Sequence, residues 1–305
     1  MNRTLCALLV VFLLSTTEAV GADGAIPSML IRVPESMTTL FVAETSTATF
    51  YRIRRDGGTL LEDGRFYMSI GQQGDGKQRS GDKRTPLGAY FVTEQLDTSR
   101  LHEKYGLTAF PLDYPNAWDR RAGRDGDGIW LHGVDKNGGL RPKRDTDGCI
   151  ALPNADLSSL IPAFEDNVTP VLVTRKIEWA AAAESASLGD ELESRIEMWR
   201  ESQLQGDLYE YLALYDDEFA RWGMNKTEWS VLMWQNDSLR ASKGEPIAVS
   251  SVSDLLLLAY PEEEGLYLSR FQLTVSNERD ITSMVRLYWR RDEHGALRII
   301  AEDRG

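Results

Sequence analysis

The sequence has few cysteines, few histidines and no excess of positive charge. Its 305 residues include two Cys and three His, and 34 Lys and Arg stand against 47 Asp and Glu, giving a formal net charge of -13. Two cysteines allow at most one bridge, so a disulfide framework is excluded. Because nucleic-acid binding needs a basic surface, the charge balance argues against nucleic acid as a partner.

The chain also lacks an apolar run of membrane-spanning length. The run Leu5 to Leu14 has ten apolar residues, follows Arg3, and precedes the small residues Val20 to Ala22. Ten residues are too few to cross roughly 30 Å of hydrocarbon. We therefore predict that residues 1–22 are a cleaved signal peptide, that the mature protein is periplasmic, and that it keeps no stable membrane span.

Cleavage of this segment would leave a single thiol. Cys6 lies in the apolar run, so the exported protein would carry only Cys149. The charged neighbours Arg144 and Asp147 do not form an apolar pocket for a buried, inert cysteine. An odd cysteine in an exported protein therefore indicates a reactive role.

Periodicity predicts an α+β fold whose first half is mostly antiparallel strand. Turn residues separate the expected strands, which are Thr39–Val42, Ala48–Arg54, Phe66–Gly71, Gly88–Gln95, Gly128–Gly133 and Pro170–Thr174. Asn154 is expected to cap a short helix with Leu157, Leu160 and Ile161 on one face. The segment Trp179–Ser187 has no strand character and is interpreted as a connection.

The second half predicts helices followed by a curved sheet, which together form a smaller α+β cone-like domain. Leu192, Ile196 and Trp199 repeat at helical spacing, and a second helix is expected around Leu208–Phe219. The expected strands are Ile247–Tyr260, Leu266–Val275 and Thr282–Arg290.

A reactive thiol needs a base and donors for the oxyanion that forms on attack. Of the three histidines, only His132 ends an apolar strand, 17 positions before Cys149, and Gly133 and Gly148 allow close backbone approach. The stretch from Asp145 to Cys149 can direct consecutive N–H groups at one point. From spacing alone, a core histidine and an inert cysteine remain an equal alternative.

Four ordered motifs resemble the L,D-transpeptidase (YkuD-type) catalytic domain over residues 38–177. His132-Gly133 and Thr146 to Ile150 resemble its His-Gly and Ser/Thr-x-Gly-Cys signature. Gly81 to Gly88 is similar to its Thr-Pro-x-Gly segment. Tyr105-Gly106 with Ala109 to Asn116 is similar to the YafK-type branch.

The resemblance implies an enzyme that acts on peptidoglycan stem peptides. Cys149 would be the nucleophile and His132 the base, the Gly133 carbonyl would orient the imidazole, and the N–H groups of Gly148 and Cys149 would bind the oxyanion. The family cleaves the bond between the L-centre of a diamino acid and the terminal D-Ala. The thioester then passes to water, in an L,D-carboxypeptidase, or to an amine, in an L,D-transpeptidase.

The sequence departs from the family pattern at two positions. Asp147 replaces a common histidine, and Ala151 replaces an arginine often found two residues after the cysteine. The substrate carboxylate must then find another cation. The candidate substrate-binding residues are Arg141, Lys143, Arg144, Arg84 and Thr146, although Arg141 to Arg144 also fits an ordinary solvated loop.

We expect neither a metal nor a cofactor. No second His or Cys stands near either motif, whereas a zinc site needs about four ligands. The glycines from Gly71 to Lys77 have the spacing of a phosphate-binding loop, but Gln78 replaces the required hydroxyl.

Residues 188–305 resemble the nuclear-transport-factor-like cone appended to some L,D-carboxypeptidases, through Tyr211 to Tyr215, Phe219 and Tyr288-Trp289. A muropeptide pocket or a homodimer surface remains open for this domain. Its aromatic residues are expected to be core: Trp199, Tyr215, Phe219, Trp222, Trp229 and Trp234. Two alternative functions remain for the whole chain, a catalytically degenerate muropeptide-binding scaffold and a hydrolase that detaches lipoprotein from peptidoglycan.

Overall fold

The computed structural model describes residues 24–97, 99, 101–135, 140–181, 185–242, 249–276 and 280–304. The predicted signal peptide, residues 1–22, lies outside the described residues together with Cys6. None of the described helices is long and apolar enough to span a bilayer.

The first half of the chain is built from short strands and two short helices. In chain order they are β1 (Ala25–Pro27), β2 (Leu30–Arg32), β3 (Thr39–Glu44), β4 (Thr49–Asp56), β5 (Thr59–Tyr67), β6 (Ile70–Gly71), β7 (Gly88–Phe91), β8 (Ala109–Pro111), α1 (Ala117–Arg121), β9 (Trp130–His132), β10 (Arg144–Thr146), β11 (Ile150–Ala151), α2 (Asn154–Leu160), β12 (Pro170–Thr174) and β13 (Trp179–Ala181). Two single 3-10 turns lie at Glu103–Tyr105 and Ile161–Ala163.

The second half has longer elements. They are α3 (Ala186–Gln205), α4 (Leu208–Ala213), β14 (Tyr215–Arg221), β15 (Met224–Asn225), α5 (Lys226–Ser242), β16 (Val249–Ala259), β17 (Leu266–Ser276), β18 (Asp280–Arg291) and β19 (Leu297–Arg304).

Two small sheets cover a larger one in the first half. The larger sheet has the order β5-β4-β3-β12-β7, and the smaller ones are β11-β9-β8 and β10-β6. Most neighbours are antiparallel, but three pairs are parallel: β11 with β9, β12 with β3, and β10 with β6. Phe41 and Phe50 of the larger sheet pack in one core with Phe110, Leu131 and Ile150 of the small sheet. This core fixes the strand ends that carry the predicted nucleophile and base.

A seven-stranded sheet with the order β15-β14-β19-β18-β17-β16-β2 forms the second half. Residues Leu192, Ile196 and Trp199 of α3 are buried in one core with Phe271 and Trp289 of the sheet. Helices α3 and α4 precede the sheet as predicted, although α5 lies between its strands β15 and β16, and the α+β fold class with a mostly antiparallel first half is confirmed.

The two halves share a third core and several polar contacts. Phe91 and Leu172 of the first half pack with Leu258 and Tyr288 of the second. Asn116 Nδ2 donates to the Tyr260 hydroxyl at 2.8 Å. One backbone pairing adds to this contact, because β2 pairs with β16 and so joins the seven-stranded sheet.

Several expected elements were wrong in extent. The strand predicted at Phe66–Gly71 is two strands, β5 and β6, and the helix predicted to reach Phe219 ends at Ala213, where β14 follows after one residue. Trp179–Ala181 is a strand rather than part of a featureless connection. Helix α5 and strand β19 were not predicted at all. The two- and three-residue strands β6 and β13 are too short to show a period, so their pairing partners decide whether they are strands.

Two predictions on side chains also fail. Asn154 is the first residue of α2 rather than its cap, which is Pro153 without a side-chain bond. Trp222 and Trp234 are 64% and 61% exposed, so they do not belong to the core, whereas Trp199, Tyr215, Phe219 and Trp229 are buried as expected.

Candidate active site

His132 ends strand β9, and Cys149 directly precedes β11, the strand that runs parallel to β9. In the register of β11 and β9, Ala151 faces His132 and Ile150 faces Leu131, which places Cys149 next to Trp130. Cys149 and His132 line the same cleft. Both are buried, at 8% and 3% exposure.

The two side chains open into one cleft of about 280 Å³. Its wall is polar and carries charges of both signs. The residues that line it are Lys77, Ser80, Gly81, Lys104, Tyr105, Asp127, Gly128, Ile129, His132, Arg141, Asp145, Thr146, Asp147 and Cys149.

The imidazole of His132 is held in the tautomer that a general base needs. Its Nδ1 lies 2.5 Å from the Gly133 carbonyl oxygen, which can only accept, so Nδ1–H donates and Nε2 keeps a free lone pair. The Tyr105 ring packs edge-on against it, with centroids 5.2 Å apart. Burial lowers the pKa of His132 to about 4, the Gly133 bond opposes this, and the charges of Arg141 and Lys104 add to the lowering.

Cys149 rests as a thiol. Its Sγ donates to the Gly128 carbonyl oxygen at 3.4 Å. Burial raises the pKa of this thiol, although a hydrogen bond from the Trp130 backbone and the charge of Lys104 act in the opposite direction. Both shifts favour a neutral thiol and a neutral imidazole in the cleft.

The turn before the thiol is held by Thr146. The Thr146 hydroxyl donates to the Cys149 carbonyl oxygen at 2.7 Å and accepts the Gly148 N–H at 3.1 Å. The Gly148 amide, a predicted oxyanion donor, is therefore already engaged, which leaves the Cys149 amide as the remaining candidate. Thr146 borders the cleft, but both of its polar contacts are internal, so it positions the turn.

Asn154 contributes a support that the sequence did not indicate. Its Oδ1 accepts the Val134 N–H at 3.1 Å, and its Nδ2 donates to the Val134 carbonyl at 2.7 Å. These bonds fix the chain directly after His132-Gly133. A polar residue at a helix start has a simpler interpretation as a cap, so no local signal distinguishes this role.

Comparison with known domain families gives two consecutive matches. Residues 38–173 match the L,D-transpeptidase catalytic domain, YkuD, and residues 191–303 match the Cds6 C-terminal NTF2-like domain. The chain carries a YkuD-type L,D-transpeptidase domain. The resemblance drawn from the His-Gly and Gly-Cys motifs is thereby confirmed, together with the appended NTF2-like domain.

Solved structures share the whole two-domain fold. The helical cell shape determining protein Pgp2 from Campylobacter jejuni has 24% identity and a TM-score of 0.72, covering 87% of this chain and 91% of its own. A single-residue mutant of Pgp2 has 25% identity and a TM-score of 0.71, with coverage of 90% and 93%. Bd1075 of Bdellovibrio bacteriovorus has 21% identity and a TM-score of 0.71, with coverage of 92% and 98%. A search of curated proteins gave no match.

The L,D-transpeptidase domain brings only one of the four predicted cations to the cleft. Arg141 lines it, with Nε 2.6 Å from Asp145 Oδ2. Lys143 instead donates to the Ser46 carbonyl.

The other two cations, Arg84 and Arg144, are not among the residues that line the cleft. Arg84 Nη1 donates to the Asp75 carbonyl at 2.9 Å. The Arg144 guanidinium lies beside Gly74. The prediction that Lys143, Arg84 and Arg144 bind substrate is not supported by these positions, because backbone carbonyls or loops of distant segments hold them.

Lys104 is a cation of the L,D-transpeptidase cleft that the sequence did not single out. It lies in the 3-10 turn Glu103–Tyr105 and borders the cleft with Tyr105. The charged stretch around it suggests solvated surface. Its position directly before the Tyr105-Gly106 motif is the one signal that pointed to the site.

Proposed function

We propose that the protein is an exported cysteine enzyme that cleaves the bond between the L-centre of a diamino acid and the terminal D-Ala in peptidoglycan stem peptides. The observation that carries this proposal is that Cys149 and His132 line one cleft, and that the Gly133 carbonyl engages Nδ1 of His132, so that Nε2 can accept a proton. The YkuD match supplies the substrate class.

The proposed reaction begins with transfer of the Cys149 proton to His132 Nε2. The sulfur attacks the carbonyl carbon, and the oxygen takes the electron pair and is stabilised by backbone N–H donors. When the intermediate collapses, the C–N bond breaks, D-Ala leaves, and its amine receives the proton from His132. A thioester to Cys149 remains.

We propose water as the main acceptor of this thioester, which makes the enzyme an L,D-carboxypeptidase that trims tetrapeptides to tripeptides. His132 would take a proton from water as it attacks, and the thiol would be regenerated. The appended NTF2-like domain supports this choice, through its resemblance to the cone of some L,D-carboxypeptidases. The 25% identity to a mutant of Pgp2, a helical cell shape determining protein, supports a role in cell shape.

Product analysis tests the proposal. Purified protein lacking residues 1–22 would be incubated with disaccharide tetrapeptide, and the products separated by mass. Tripeptide with free D-Ala is the expected result, and crosslinked dimers would show that an amine is the acceptor instead. The Cys149→Ala variant is the matched control. If it trims as well as the wild type, the enzyme proposal is wrong and the scaffold alternative gains support.

A further inference from the structure

Two oppositely charged side chains meet at the rim of the cleft. Lys104 Nζ lies 3.6 Å from Asp147 Oδ2, and the side chains are 45% and 62% exposed. Both residues line the cleft that contains Cys149. Asp147 is two positions before the nucleophile in the chain, so this pair lies close to the reacting sulfur.

The pair is loose, and the other contacts of its charges are weak: Lys104 Nζ lies 5.1 Å from the centroid of the Tyr105 ring, and Asp147 has only long polar contacts. A separation of 3.6 Å exceeds the roughly 2.7–3.2 Å of an N–H···O hydrogen bond. The other polar neighbours of the Asp147 carboxylate are also distant, with Lys83 Nζ at 3.9 Å and Gln72 Nε2 at 3.5 Å. An exposed pair of this kind is worth about 0.2–1 kcal/mol, so a ligand can separate it at small cost.

The remaining cations of the cleft are already committed. Arg141 donates to Asp145 from Nε at 2.6 Å and from Nη2 at 3.0 Å. Lys77 is buried and bonded to Asp82 at 2.9 Å. Among the described residues that line the cleft, Lys104 is therefore the cation whose ammonium has no partner within hydrogen-bond distance.

Resting on the proposed function, we propose that Lys104 and Asp147 together bind a zwitterion, the α-amino-carboxylate end of the diamino acid side chain at the third position of the stem. The substrate carboxylate pairs with Lys104 and its ammonium with Asp147. The substrate carboxylate thus takes the place of the Asp147 carboxylate beside Lys104, and the substrate ammonium takes the place of the Lys104 ammonium beside Asp147. A side chain that ends in an ammonium alone, as in lysine, satisfies Asp147 but brings a like charge towards Lys104.

The test compares two synthetic tetrapeptides that differ only at the third residue, which is meso-diaminopimelate or L-lysine. D-Ala release gives kcat/KM for each with the wild type, Lys104→Met and Lys83→Met. The wild type is expected to prefer the diaminopimelate peptide by about tenfold, the sum of a gained pair and an avoided repulsion. Lys104→Met should reduce the preference to about twofold or less, mainly by slowing the diaminopimelate peptide.

Lys83→Met is the matched control, because Lys83 approaches Asp147 from outside the cleft. It should leave the preference unchanged. The inference is overturned if the wild type treats both peptides alike or if Lys104→Met keeps the full preference. Calorimetry can measure the affinity of both peptides for Cys149→Ala and for the double variant Cys149→Ala, Lys104→Met. The ratio of the two affinities gives the preference for the diaminopimelate peptide without turnover. Absence of D-Ala release with a retained binding ratio would therefore refute the proposed function and not this inference.

Discussion

Replacement of Gly148 by alanine is the sharpest test of how the turn before the nucleophile works. Gly148 has a φ of +132°, which residues with a Cβ rarely adopt. An added Cβ would lie 2.8 Å from the Arg84 carbonyl oxygen and 3.0 Å from Ile129 Cδ1. One of these neighbours is backbone, so the turn itself must move.

The expected cost has two parts. Holding alanine at this φ costs about 1–3 kcal/mol, and relieving the contact with backbone costs about 1–3 kcal/mol more. The movement shifts Cys149 by a fraction of an ångström, and misplacement of a reacting group by about 1 Å can cost about 100-fold in rate. We therefore expect Gly148→Ala to lose about 2–6 kcal/mol of unfolding free energy and at least tenfold in the rate of D-Ala release.

The assay pairs urea denaturation with D-Ala release from a tetrapeptide at a temperature where the variant is folded. Gly81→Ala is the matched control, because Gly81 lines the same cleft with a φ of +75° and has open space around its missing Cβ. Its free energy of unfolding should fall by about 1 kcal/mol, and its rate of D-Ala release should change little. If Gly148→Ala behaves like Gly81→Ala in both measurements, the close approach to Arg84 does not shape the site.

Two further predictions concern the base and the turn. The pKa of His132 is about 4 when folded, below the roughly 6.5 of an unfolded histidine, so its contribution to stability is complete above pH 6.5 and is lost as the pH falls towards 4. Urea titrations at several pH values should show that, between pH 6.5 and pH 4, the free energy of unfolding falls by roughly 3 kcal/mol more in the wild type than in His132→Gln. Equal losses in the two proteins would contradict the burial argument. Thr146→Val removes both hydrogen bonds of the turn, so it should lower the free energy of unfolding by about 1–3 kcal/mol and slow D-Ala release. Thr146→Ser keeps the hydroxyl and should restore both properties. A fully active valine variant would show that the turn needs neither bond.

The proposed nucleophile and base could be selected from the sequence because family motifs surround them, whereas spacing alone left a core histidine and an inert cysteine equally open. His132 ends an apolar strand beside a glycine, and Cys149 follows a glycine in a polar stretch, so short motifs carry the chemistry. The role of the Gly133 carbonyl was implied by the family resemblance, and the contact of this carbonyl with Nδ1 of His132 agrees with it.

The cations were less predictable because their directions depend on distant segments. Arg84 and Lys143 are held by the carbonyls of Asp75 and Ser46, and no spacing in the sequence reveals those contacts. Lys104 lies in a charged stretch that periodicity assigns to surface. Its proximity to the sulfur depends on how the 3-10 turn packs beside β9, which is a tertiary property.

The strands of the fold also differ in whether their signal is local or comes from a distant partner. The buried strand Pro170–Thr174 was predicted with its observed bounds, because all five residues are buried and apolar or β-branched. In contrast, Trp179–Ala181 is largely exposed and pairs with Ala25–Pro27 from the other end of the domain. Only a partner far along the chain makes that segment a strand.

The thioester on Cys149 is the central claim, and intact-mass spectrometry tests it most directly. The protein would be mixed with disaccharide tetrapeptide, quenched in acid within the first turnover, and digested to locate any adduct. The account predicts a mass increase equal to the substrate less D-Ala, carried by Cys149 and absent from Cys149→Ala. Tripeptide formation with an unmodified sulfur throughout the first turnover would contradict it.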